Sequence, residues 1–191
     1  MNNIEKNLSK IGPGQMEELL AHIAGITVEE NKENIRVNEK AREIEGLPIE
    51  RWPAFDIRWD LSLAGQRFSF DGESESSFVE DYPNGLLLGW VCLNELDDKL
   101  IPYCKRAAGE IWSIGNSLKV ARIIVHWTEG RSISPIIIGH NKHGQLTILG
   151  GNHRLAICRT KGERIVPVLA NPTDQNMIND ILGVIQWEKA T

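Results

Sequence analysis

The sequence is poor in everything that would anchor a chain in a membrane or staple it together. Its longest apolar stretch, Leu86 to Leu93, falls far short of the roughly 20 residues that a membrane-spanning helix needs, so no span is expected. Asn2, Asn3, Glu5 and Lys6, ahead of Gly12-Pro13-Gly14, form no apolar run of signal-peptide type, and export by that route is not expected. The three cysteines, Cys92, Cys104 and Cys158, are odd in number and contain no CxxC pair, which indicates neither a disulfide framework nor a zinc site. A cytoplasmic setting is the expectation that follows. No internal repeat is present.

What is there is an ordinary globular composition. With 41% hydrophobic and 25% charged residues among 191, the chain is long enough for one well-cored domain with an appended segment and short for two independent domains. The net charge of -5 argues against a surface built throughout for nucleic acid, but the charge is uneven. Lys119 to Arg164 holds eight Lys/Arg against two Asp/Glu, while the rest holds thirteen against twenty-four. One part of the molecule is therefore suited to attract phosphates, unless these cations merely neutralise acidic neighbours within the fold.

Residues 1–50 read as an N-terminal helical extension on a flexible lead. Met16 to Ile23 is apolar on one side, and Thr27 with Glu30 has capping-box spacing ahead of a charged run that Gly46 would end. Its apolar residues Val28, Ile35, Ala41 and Ile44 are sparse, which suits packing on the main domain or a partner. Residues 51–191 form the expected domain. Phe55 to Trp59 and Arg67 to Phe70 alternate as a hairpin about Ala64-Gly65, Asp71 to Asp81 is an acidic loop, and Gly85 to Leu93 is a buried strand leading to a helix near Lys99. Asn116 or Ser117 caps a helix with Val120, Ile123, Ile124 and Trp127 on one face, closed by Gly130. Strands at Ile136-Ile138 and Leu146-Leu149 flank a turn at 141–144. A helix from Asn152 to Lys161 and a strand from Ile165 to Leu169 complete a mixed α+β pattern.

The stretch Gly150-Gly151-Asn152-His153-Arg154 carries the candidate chemistry. A strand that runs into two glycines and a helix start gathers unpaired backbone N–H groups at the positive end of a helix dipole, a place that favours anions. The glycines let a phosphate approach the backbone, and His153 and Arg154 can add charge-assisted hydrogen bonds. The same pattern is also an ordinary tight connection. Pro135-Ile136-Ile137-Ile138, Gly144 to Leu149, Gly150 to Ala156, and Gly162 with Val166-Pro167-Val168 together resemble the ParB/sulfiredoxin superfamily core in its usual order, over roughly residues 86–170.

That resemblance implies a small mixed sheet with packed helices whose helix-start box holds the phosphates of ATP or CTP, with Mg2+. Sulfiredoxins place a cysteine where this chain has Asn152, and Cys158 reads as a buried helix residue, so thiol chemistry is not expected. The free-serine kinase branch has an acidic residue where Gly150 stands here. Partitioning ParB proteins add a helix-turn-helix domain, for which the roughly twenty residues after Leu169 leave no room. The remaining group is the small single-domain ParB-like proteins, some resembling nucleases or ATPases and including a plasmid oncogenic-suppression protein that inhibits conjugative transfer.

The resemblance assigns phosphate contacts to Gly150, Gly151, Asn152, His153 and Arg154, with catalytic roles for His153 and Arg154; position along the chain adds Ser134, before a strand, as a phosphate donor, and Glu129, at a helix C-terminus, to orient a magnesium-bound water or to pair with Arg131 or Arg154. Bland readings stand beside these: Ser134 as a turn serine, Glu129 as a solvated carboxylate, and His140 and His143 as a solvated hairpin turn rather than a metal site. The six tryptophans read mostly as core. Three functions are expected to compete: nucleotide hydrolysis, possibly with DNA cleavage; a nucleotide-gated switch that binds a partner protein through its N-terminal helices; and a DNA-binding module using the basic stretch.

Overall fold

The computed structural model describes residues 12–70, 74–113 and 115–189. The expected lead before the first helix and the 71–73 part of the acidic stretch lie outside them. The described elements are α1 (Pro13–Ala24), α2 (Val28–Ile44), α3 (Leu63–Gln66), α4 (Glu75–Asp81), β1 (Leu87–Cys92), α5 (Leu93–Lys99), α6 (Ser117–Thr128), β2 (Ile136–His140), β3 (Leu146–Gly150), α7 (Asn152–Lys161), β4 (Ile165–Ala170), α8 (Gln175–Leu182) and β5 (Glu188–Lys189). The fold is mixed α+β. Among the described residues no helix is long and apolar enough to cross a membrane.

The five strands form one sheet in the order β3-β2-β4-β1-β5, antiparallel except for the parallel β2–β4 pair. Alternation along β2 sorts its isoleucines onto two faces. Ile136 and Ile138 join Leu155 and Cys158 of α7, Leu93 and Leu96 of α5 and Ile178 of α8 in one core. Ile137, between them, faces Phe78, Leu86, Leu88 and Leu169 on the other side. Helices then stack outward from the first face: Ala156 and Ile157 of α7 pack with Val120, Ala121, Ile124 and Val125 of α6, and these with Val37, Ala41 and Ile44 of α2. The N-terminal segment thus shares a core with the main domain, through Val37 rather than the exposed Ile35.

Local signals explain most element ends. Thr27 and Glu30 exchange both capping-box hydrogen bonds, and the Asn116 side chain accepts from the Lys119 N–H at the start of α6. Gly162 closes α7 in the left-handed conformation.

Three expectations are corrected. No hairpin spans 55–70: Trp59 bridges Ile133 instead, while residues 63–69 coil into α3 and a 3-10 turn. The cause is tertiary, because the buried Gln66 side chain donates to the Leu86 carbonyl (3.0 Å) and accepts from the Leu86 N–H (2.7 Å), a role a strand partner would otherwise fill. The acidic stretch is helical from Glu75, capped by Ser74, since Phe78 is 4% exposed and packs on Phe70 and Tyr82. The helix expected near Lys99 begins directly after β1 and ends there. Beyond the last expected strand, α8 and β5 close the sheet edge, with Trp187 lying where a Cβ on Gly89 would be 2.9 Å from its ring.

Gln66→Ala would leave both backbone groups of Leu86 buried and unpaired. A loss of about 2–4 kcal/mol is expected, at roughly 1–3 kcal/mol for each unsatisfied group less some relaxation. Urea unfolding should show a lowered midpoint at unchanged slope, and an unchanged midpoint would refute the role.

Candidate functional site

The turn between β3 and α7 is built by packing against protein atoms. A Cβ on Gly150 would overlap the Ser69 carbonyl oxygen, so the 63–69 segment can lie against the strand end only if residue 150 is glycine. Gly151 caps α7 at φ 95°, ψ 19°, and a Cβ there would sit 2.8 Å from Ile136 Cγ2 and 2.9 Å from Arg154 Nε. Both glycines are thus required by the fold itself.

Arg154 explains that packing. It is 6% exposed, and its guanidinium donates to the backbone carbonyls of Ser134 (2.6 Å), Pro135 (2.9 Å) and Ser69 (3.0 Å). Ser134 is equally committed: it is 2% exposed and its hydroxyl donates to the Gly65 carbonyl at 2.6 Å. Ser69 completes the stitch by donating to the Pro135 carbonyl at 2.9 Å. The phosphate-binding roles expected for Arg154 and Ser134 give way to a buried polar network that binds residues 65–69 to the start of β2.

Glu129 does not approach the turn. It sits at the C-terminal cap of α6, where a negative charge is unfavourable, and it is compensated by Arg36 (2.8 Å to Oε2), Lys40 (2.9 Å) and Arg131 (3.3 Å). Hydrogen bonds from Arg36 dominate in holding its carboxyl down at about 2 from the usual 4.5; partial burial opposes them and Lys40 assists. The expected catalytic role for Glu129 is therefore replaced by a tie between α2 and the end of α6. Cys158 is buried, and that burial pushes its thiol up to about 12, so it offers no nucleophile.

Beside the turn lies a cavity of about 480 Å3. Gly150, Gly151, Asn152 and His153 form one wall, at the start of a ten-residue helix whose first N–H groups have no intrahelical acceptor. The facing wall is α6, which presents Lys119, Arg122, Ile123 and His126 at helical spacing, while Val120, Ala121, Ile124 and Val125 face the core. Arg106 and Arg154 also line it, and Phe68, Ile133 and Leu149 are its other apolar residues, with Phe68 62% exposed under the Arg67 guanidinium at 4.1 Å. No carboxylate is among the described residues lining it.

The two walls are held in register. The Asn116 N–H donates to His153 Nε2 at 3.3 Å. Arg122 donates to Asn34 Oδ1 of α2 at 3.0 Å. Two buried atoms on the cavity walls, His126 Nδ1 and Asn152 Oδ1, have no hydrogen-bond partner. Burial, helped by Arg131 and Arg122, lowers the His126 pKa from its ordinary 6.5, so the ring is neutral near pH 7.

The structure thus brings together Gly150, Gly151, Asn152, His153 and Arg154, and leaves Ser134 and Glu129 in other roles. Sequence reasoning missed Arg106, Lys119, Arg122, His126 and Phe68. The i, i+3, i+7 spacing of Lys119, Arg122 and His126, opposite an apolar face, was a usable signal. Nothing in the sequence joins Arg106 or Phe68 to them.

Most tryptophans are structural: Trp52 and Trp112 both donate to the Leu47 carbonyl, and Trp127 to that of Arg58. The described lining does not fit a protein-held magnesium ion. It offers cations, imidazoles and one amide oxygen, whereas magnesium is held by carboxylates. No group of three or more His, Cys, Asp or Glu able to hold a metal ion occurs among the described residues. Comparison with protein-family models, with curated proteins and with solved structures finds no match for this chain.

Two outcomes follow from this geometry. Arg154→Met strands the buried carbonyls of Ser134 and Ser69, while that of Pro135 keeps the Ser69 hydroxyl, and should cost about 2–4 kcal/mol, seen as a fall in the unfolding midpoint without any ligand present. Glu129, with its lowered carboxyl, contributes stability that is whole above pH 4.5 and is lost as pH falls toward 2, because the unfolded chain takes up the proton first. Glu129→Gln should therefore flatten the decline of the unfolding midpoint across that window; a decline as steep as in the wild type would refute the tie.

Proposed function

We propose that this chain is a ParB/sulfiredoxin-like nucleotide-binding protein whose ligand phosphates lie between the cationic stripe of α6 and the start of α7, with ATP or CTP as the ligand. One observation carries the reading: Arg106, Lys119, Arg122 and the α7 N-terminus converge on one cavity whose described lining has no carboxylate. A cationic wall and a helix dipole favour an anionic ligand. The ordered blocks from Pro135 to Val168 that resemble the superfamily, and the strand-turn-helix β3–α7, support the same reading.

Cations around a triphosphate also stabilise charge that develops during phosphoryl transfer. For hydrolysis of a nucleotide or of DNA, the described lining offers two imidazoles as proton carriers. Of these, His153 Nε2 already accepts from Asn116 and His126 Nδ1 is buried. A non-enzymatic switch has its own support. Arg122 bonds Asn34 across to α2, so a ligand that draws Arg122 inward would loosen the N-terminal helices, where Leu20 and Ile23 of α1 are exposed for a partner protein.

Calorimetric titration with ATP and with CTP tests the reading. Binding is expected with and without added magnesium. Lys119→Ala and Arg122→Ala should each weaken it about tenfold, as loss of a charge-assisted contact of roughly 1.4 kcal/mol requires. Glu129→Gln should bind as the wild type does. Absence of binding, or binding indifferent to both substitutions, overturns the proposal.

A further inference from the structure

The cavity between α6 and α7 is lined by two kinds of residue. Cations and the start of α7 supply its polar lining, and Phe68, Ile123, Ile133 and Leu149 its apolar lining. Phe68 and Leu149 differ from the two isoleucines in that each is more than half exposed. Large apolar side chains left open to solvent inside a concave, charged site mark where an uncharged part of a ligand is covered.

Neither side chain is exposed because its surroundings are loose. Phe68 is followed by the buried Ser69, whose hydroxyl donates to the Pro135 carbonyl (2.9 Å) and whose carbonyl accepts from Arg154 (3.0 Å). The 3-10 turn Arg67–Ser69 is closed by the Phe70 N–H, which donates to the Arg67 carbonyl at 3.3 Å. The Arg67 guanidinium lies over the Phe68 ring, yet Arg67 is not among the described residues lining the cavity. It therefore braces the ring from outside and leaves the other face to the cavity. Leu149 is steadied by bare backbone, since a Cβ on Gly139 would lie 2.9 Å from Leu149 Cδ1. A ring held in this way loses little freedom when a planar group stacks on it, which is what a platform for a base requires.

We infer that the Phe68 ring carries the heterocyclic base of the ligand, with Leu149 as a further apolar contact, so that the site takes a nucleoside triphosphate in preference to a triphosphate without a base. This rests on the phosphate-binding reading of the cavity and adds the part of the ligand that the cations do not address. A cationic wall alone would hold any triphosphate of equal charge equally well. The ring gives the base a contact that a phosphate chain cannot make.

The test is calorimetric titration of the full chain with ATP and with methyl triphosphate, which carries the same phosphate chain without the nucleoside. ATP should bind about tenfold more tightly, as one base stacked on an aromatic side chain requires. In Phe68→Ala the two ligands should bind alike. In Phe68→Trp the advantage of ATP should return, and the added indole emission, taken as the difference from the wild type, should fall with ATP and not with methyl triphosphate. Equal affinity for the two ligands in the wild type, or an advantage of ATP that persists in Phe68→Ala, overturns the inference and leaves the phosphate reading standing. Failure of the wild type to bind either ligand overturns both.

Discussion

The Arg154 guanidinium is the constraint on which the rest depends. Its bonds to the carbonyls of Ser69, Ser134 and Pro135 join three segments far apart in sequence: the 63–69 coil, the start of β2 and the first turn of α7. A charged group is buried at a cost of several kcal/mol unless its donors are met, so this arrangement admits little variation. It fixes the approach of Ser69 to Gly150 and forbids a side chain there. It also sets the direction of α7, and hence where that helix's unpaired N–H groups point.

Function and architecture divide the same helices between them. The inner face of α6 packs against α7 and α2, while its other face carries Lys119, Arg122 and His126 into the cavity. The ion network of Glu129 with Arg36, Lys40 and Arg131 secures α2 to the end of α6, and the Asn116–His153 bond secures the beginning of α6 to α7. The cation stripe therefore stands on a helix held at both ends. Held cations lose little conformational freedom on meeting an anion, which favours binding.

Much of the fold was legible because it is written in local terms. The capping box at Thr27 and Glu30, the cap at Asn116, the isoleucine run after Pro135 and the glycine stop at 162 act over a few residues, and each element they announce is present. The expected hairpin failed where a single buried side chain, Gln66, replaced a strand partner twenty residues away. The acidic loop failed because Phe78 outweighs its charged neighbours once an aromatic cluster exists to receive it.

The candidate site shows the same division. Sequence alone determined that a strand, two glycines and a helix start meet at 150–154, and that the basic residues concentrate between Lys119 and Arg164, because spacing and composition are properties of the chain itself. Only the tertiary structure decided what each residue does there. Arg154, the residue that sequence marks as the anion's partner, turns inward to backbone carbonyls, and Glu129 turns away to Arg36. Arg106 and Arg122 arrive from other segments to line the cavity alongside Arg154. A side chain's hydrogen-bond partners are set by what the fold brings within about 3 Å of it, and no sequence spacing carries that information across segments this far apart.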